Sequence, residues 1–156
     1  MPRETRIVAF VQARMSSTRL PGKVLAEIAG HPMLWHVVNR VRAVPLVDQV
    51  VVATSTEPSD NAIFVFCTEN RIACFRGNAN DVLDRFYTAA KHYHAQIIVR
   101  ITADCPLLDP DVISRALNAY LQGDHDYVTN TLRYTYPDGL DVEVFSLKAL
   151  QEAWQN

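Results

Sequence analysis

Three largely apolar runs, residues 7–11, 50–54 and 97–102, are dense in valine and isoleucine, the third broken only by Arg100 before its closing threonine. A strand built from such a run has little polar surface to give to water, which suits burial on both faces. Between the runs the periodicity changes to that of a helix. Leu34, Val37, Val38 and Val41 recur at i, i+3, i+4 and i+7, with Pro32 near the start. Val82, Leu83, Phe86, Tyr87 and Ala90 make a second stripe after Asn80, the expected N-cap. Val112, Ile113, Ala116, Leu117, Tyr120 and Leu121 make a third, opened by Asp109-Pro110-Asp111. A weaker stripe of Ile63, Phe66 and Cys67 follows Ser59. Shorter strands are expected over 73–75, 127–129 and 142–145, and a short helix after Ser146. This alternation predicts an α/β fold with a mostly parallel sheet between two helical layers.

The chain has 156 residues, enough for one domain that buries about two thirds of its unfolded surface. Its net charge of −2 and pI of about 6.2 give no broad attraction for nucleic acid, and no aromatic–basic interleaving appears. Cys67, Cys74 and Cys105 are odd in number and form no C-x-x-C pair, which favours a reducing compartment over a disulfide framework. The apolar run from Ile7 breaks at Gln12, short of a signal peptide, and no run approaches membrane-spanning length. A cytoplasmic protein without a membrane partner is expected. The helix after Ser146 ends the sequence abruptly, which suggests a domain lacking its C-terminal part or completed by a partner chain.

The richest chemistry lies in residues 12–23, directly after the first apolar run. Arg14, Arg19 and Lys23 share this loop with Ser16, Ser17 and Thr18. Open α/β sheets bind ligands beyond the C-terminal ends of their strands. Guanidinium forks and a lysine ammonium there suit phosphate oxygens. Asp104 follows the third run and is expected on the same sheet edge. A carboxylate facing a polyphosphate is repulsive unless a divalent cation intervenes, and Mg²⁺ is commonly held by one or two carboxylates plus phosphates and water. Asp141 and Glu143 alternate with Leu140, Val142 and Val144, which would place both acids on one strand face. Thr54 and Ser55 end the second run. Gly77 permits a tight turn after Arg76, and Asp81, Asp84 and Arg85 are expected to reach the crevice from a helix start.

Other patterns carry less. Asp124-His125-Asp126 precedes a strand instead of following one and reads as a turn. His92 and His94 are two apart on a helix and face different ways. Gly22-Lys23 is followed by Val24, with Ser17 where a Walker loop needs glycine.

The segments A-R-M-S-S-T-R-L-P-G-K, V-V-A-T-S, R-G-N-A-N-D-V-L-D-R, R-I-T-A-D-C-P-L and P-D-G-L-D-V-E-V-F, in this order, resemble the cytidylyltransferase family. The branch most resembled is the spore-coat polysaccharide and acylneuraminate type. The resemblance implies a Rossmann-like nucleotide-diphospho-sugar transferase fold. It also implies transfer of CMP from CTP to a small acidic sugar, with Mg²⁺ as cofactor and a possible homodimer. By position, Ala13, Arg14, Arg19 and Lys23 match nucleotide-binding residues, Arg14 and Lys23 with catalytic roles. Thr54, Ser55, Arg76, Gly77, Asp81, Asp84 and Arg85 match the region around base and ribose. Asp104 matches the metal-binding aspartate, and Asn130, Asp141 and Glu143 fall on the acceptor side. Family members are usually longer, with a late aspartate as second metal carboxylate. Here either the sequence is cut short, or the second carboxylate is expected from Asp141 or a partner subunit. A shortened non-catalytic nucleotide-binding module and a glycosyltransferase consuming a nucleotide sugar remain the alternatives.

Overall fold

The apolar runs become the middle of one sheet. In chain order the elements are β1 (Ile7–Gln12), β2 (Glu27–Ile28), β3 (His31–Pro32), α1 (Met33–Arg42), β4 (Gln49–Ser55), α2 (Asn61–Glu69), β5 (Ala73–Gly77) and α3 (Val82–His92). They continue with β6 (Ile97–Thr102), α4 (Pro110–Gln122), β7 (Tyr127–Thr129), β8 (Glu143–Ser146) and α5 (Leu147–Gln155). This is a computed structural model, and it describes residues 5–156.

The six-stranded sheet has the order β5-β4-β1-β6-β8-β7, and β2 and β3 form a separate small hairpin. β5, β4, β1 and β6 run parallel, whereas β8 is antiparallel to both β6 and β7. Alternation sorts the side chains between two cores. Ile7, Ala9 and Val11 of β1 join the face covered by α1, α2 and α4, where Leu34, Val37, Ile63, Ile113 and Leu117 are buried. Val8 and Phe10 join the opposite face, covered by α3 and α5 through Phe86, Ala89, Ala90 and Leu150. Phe10 meets Phe86 and Tyr93 edge-on, with ring centroids 6.1 and 6.3 Å away. The expected three-layer α/β arrangement is the one found.

The sheet order also places the crevice. From β1 the chain crosses to β4 on one side and later fills β6 on the other. The C-terminal end of β1 is therefore the point where the winding reverses, the usual ligand position in such sheets. The loop carrying Arg14, Arg19 and Lys23 leaves from this end.

Two expectations need correction. The N-cap of α3 is Asp81, whose side chain accepts the Asp84 N–H at 2.9 Å, and not Asn80. The Asn78 carboxamide oxygen takes the N–H groups of Asn80 and Asp81 at 3.0 and 3.1 Å, which holds the preceding turn and moves the helix start one residue on. β8 begins at Glu143, so Asp141 stands outside the strand. The Asn130 carboxamide explains why: it donates to the Leu140 carbonyl at 2.7 Å and accepts from the Val142 N–H at 3.0 Å, tying down the approach to β8. The caps at Asp109 and Ser146 are as expected, accepting from Asp111 and Ala149.

Candidate active site

Gln12, Arg14, Ser16, Ser17, Thr18, Arg19, Lys23, Thr102 and Asp104 line a cavity of about 320 Å³ at the reversal point. β1 leads into the cationic loop and β6 supplies Thr102 and, just past its end, Asp104, because parallel neighbours end on the same edge. Gly22 adopts φ +74°, a left-handed conformation that suits glycine, and turns the chain into the 3-10 segment Lys23–Leu25. That turn brings Lys23 Nζ to 2.7 Å from the Asp104 carboxylate, across 81 residues of sequence. The two side chains are 23% and 39% exposed. A half-wet pair of this kind contributes only about 0–1 kcal/mol, so exchanging it for a ligand costs little. Partial burial pushes the Asp104 carboxyl up. The hydrogen bond and charge of Lys23, with help from the Thr102 hydroxyl, outweigh that and hold it below the usual carboxylate range.

A second cavity of about 680 Å³ adjoins the first and shares Arg19, Thr102 and Asp104 with it. Its far wall is the segment Pro137, Asp138, Gly139, Leu140 and Asp141. Burial raises the Asp141 carboxyl above its usual range, and the negative charges of Asp138, Glu143 and Asp104 add to the effect. An acid whose folded pKa is raised costs stability above that pKa. Asp141→Asn is therefore expected to raise the melting temperature slightly at pH 7, by less than about 0.5 kcal/mol in stability. The gain should vanish as the pH falls below the unfolded carboxyl's value of about 3.9. Thermal melts at pH 7 and pH 3 check both parts.

Several candidates from the sequence lie elsewhere. Glu143 does not share the Asp141 cavity. As the first residue of β8 it faces the α3/α5 side, where Arg100 binds both its oxygens at 2.8 and 2.9 Å. The same guanidinium reaches the Gln12 carboxamide at 2.9 Å, joining Glu143 to the edge of the loop. Asn130 gives its amide to the backbone before β8, as described above. Thr54 and Ser55 are fully buried, and Ala13 is 2% exposed with its N–H on the Ala53 carbonyl. Arg76 donates to the Ser55 and Glu57 carbonyls at 2.9 and 3.1 Å and lies over the Phe64 ring. Asp81 caps α3, and Asp84 accepts from the Trp154 indole at 3.0 Å.

Arg85 does not reach the crevice. It is fully buried beneath Gly77, where an added Cβ would come within 2.9 Å of its Cγ. Its Nη1 donates to the Asn78 carbonyl at 2.8 Å. Burial lowers its pKa, nearby Arg14 and Arg100 act in the same direction, and Asp60 opposes them. Asp60 itself escaped the sequence reading. In Pro58-Ser59-Asp60-Asn61 it reads as one more helix cap, yet it is 1% exposed and bonds to Met15 and Ser55.

With this geometry in place, comparison with known proteins is decisive. Residues 8–156 match the cytidylyltransferase family. The chain belongs to that family. It is 32% identical over 159 residues to the spore coat polysaccharide biosynthesis protein SpsF of Bacillus subtilis, covering 96% of this chain and 66% of that protein. It is 38% identical over 112 residues to a 3-deoxy-manno-octulosonate cytidylyltransferase of Geobacter metallireducens, covering 72% of this chain and 43% of the relative. The solved structure of a cytidylyltransferase from Leptospira borgpetersenii superposes with a TM-score of 0.92 at 33% identity, over 97% of this chain and 65% of that one. An uncharacterized protein of Methanocaldococcus jannaschii, MJ1063, is 38% identical over 97% of this chain, which spans 61% of it. The chain thus spans about two thirds or less of the length of these relatives. Among the described residues no helix is long and apolar enough to cross a membrane.

Proposed function

We propose that the chain transfers CMP from CTP to a hydroxyl of a small acidic sugar, releasing pyrophosphate, as a cytoplasmic step in surface polysaccharide biosynthesis. The observation that carries this reading is the Lys23–Asp104 pair, held at 2.7 Å at the reversal point of the sheet beside Arg14, Arg19 and the hydroxyls of Ser16, Ser17, Thr18 and Thr102. Family membership and relatives named for a sugar acid and for polysaccharide biosynthesis support it. Homodimer formation belongs to the same reading.

In the free protein Lys23 and Asp104 neutralise each other. An arriving triphosphate offers Lys23 a stronger partner, since hydrogen bonds between charged groups contribute about 1.5–3 kcal/mol. Lys23 and Arg14 then lie against the phosphates and offset the charge that grows on the departing pyrophosphate. Asp104 is left facing the same anion. Its single hard oxygen donor group beside open volume fits Mg²⁺, which keeps waters and phosphate oxygens among its ligands. Asp104 would hold the ion, which when bound supplies Lewis-acid charge to the phosphate oxygens. The acceptor sugar sits in the larger cavity, with Arg19 placed between the two cavities as the cation available to its carboxylate. The acceptor hydroxyl loses its proton to water as its oxygen bonds to the α-phosphorus, and the bond from that phosphorus to the bridging oxygen breaks so that pyrophosphate leaves. No covalent intermediate with the protein is required, and catalysis is positioning plus electrostatics.

Pyrophosphate release, measured with each of the four nucleoside triphosphates, Mg²⁺ and a panel of sugar acids, tests the proposal. Release with CTP and one sugar acid is expected. CTP binding without release would instead mark a non-catalytic module, and consumption of a nucleotide sugar would mark a glycosyltransferase.

A further inference from the structure

The cationic loop makes few bonds of its own, and two of them converge on one residue. The Met15 carbonyl accepts the N–H groups of Ser17 at 3.0 Å and Gly22 at 2.9 Å, so Met15 closes the loop at both ends. The Met15 N–H points the other way, into the protein, and donates to Asp60 Oδ1 at 2.7 Å. Asp60 is buried, sits in the 3-10 turn Pro58–Asp60 and lies 45 residues away in sequence. Its second oxygen accepts the Ser55 N–H at 3.3 Å and the Ser55 hydroxyl. One carboxylate therefore ties the root of the loop to the end of β4.

Charge points to the same residue. Behind the loop, Arg85 is fully buried with Nε and Nη2 unpaired among the described residues, and the Arg14 Nε is buried and unpaired as well. The buried Arg85 guanidinium and the partly buried Arg14 guanidinium repel each other. Asp60 is the carboxylate whose field at Arg85 opposes that repulsion.

We propose that Asp60 is a positioning residue for the phosphate-gripping loop: by anchoring the Met15 N–H and countering the buried Arg85 cation, it holds Arg14 and the loop in the shape that receives an anionic chain of phosphates. What the loop grips rests on the function proposed above, so the test uses a probe that needs neither base nor chemistry. Asp60→Asn keeps the size of the side chain but sets an amide N–H₂ against one of its present donors. Calorimetric titration with inorganic tripolyphosphate should show an affinity about tenfold weaker than the parent's, at an unchanged circular dichroism spectrum, the effect of one lost charged hydrogen bond. In turnover, the KM for CTP should rise about tenfold with kcat changed by less than about threefold, the pattern of lost binding. Tripolyphosphate affinity within twofold of the parent's overturns the proposal. If the variant does not fold, amide exchange of Met15 in the parent protein decides. Slow exchange at this loop residue supports the anchor, and exchange at the rate of an open loop overturns it. Tripolyphosphate binding that depends on Asp60 in a protein that never turns over CTP would leave this inference standing and remove the proposed function.

Discussion

Replacing Lys23 with alanine is expected to lower kcat/KM for CTP by roughly 10- to 150-fold. One charged hydrogen bond contributes about 1.5–3 kcal/mol, and each 1.4 kcal/mol is about tenfold in rate. The loss should fall on kcat as well as KM, because the ammonium is asked to meet charge that grows as pyrophosphate leaves. The free protein should barely notice the change, since the Lys23–Asp104 pair is partly wet and weakly stabilising. Steady-state kinetics beside a thermal melt separate the two effects. Lys23→Arg should restore part of the binding, because the charge returns, but less of kcat, because a planar fork does not occupy the place of a compact ammonium.

Replacing Asp104 with asparagine should cost more and should change sign with the metal. With Mg²⁺ present, kcat/KM is expected to fall by at least about a hundredfold, since a catalytic divalent ion contributes several kcal/mol of charge stabilisation. With Mg²⁺ removed by chelation, the variant should bind CTP more tightly than the parent, because a carboxylate that repels phosphate has gone and Lys23 has been released from it. A purely structural Asp104 would give neither the sign change nor the metal dependence. The pH dependence follows from the depressed carboxyl. The group's contribution to stability is fully present above its unfolded value of about 3.9 and is lost only as the pH falls through its lower folded value. An acid limb of activity near neutrality would therefore belong to another group.

The meeting of Lys23 with Asp104 was legible in the sequence because it rests on a rule of topology. Two long apolar runs predicted parallel neighbours, and parallel neighbours end on one edge. The helices were legible for the same kind of reason: their stripes are long and their caps at Asp109 and Ser146 have one good candidate each. At α3 three polar residues compete, and the sequence does not say that Asn78 secures the turn so that Asp81 caps. Asp141 and Glu143 show how sharply a strand boundary matters. With β8 starting at Glu143, one acid stays in the crevice and the other faces a different layer, paired with Arg100. Asp60 and Arg85 were hidden for a different reason. A buried charge has no periodic signature, and its partners, Met15, Ser55 and Asn78, are set by tertiary packing and not by spacing.

The central claim is that the cations of the amino-terminal loop and Asp104 converge on a metal–triphosphate. Calorimetric titration of the parent protein and of the Lys23→Ala, Asp104→Asn double variant with CTP, each with and without Mg²⁺, tests it most directly. The account predicts that Mg²⁺ tightens CTP binding to the parent and makes no difference to the double variant, which binds more weakly in its presence. Equal CTP affinity for both proteins, with the same response to Mg²⁺, would contradict it.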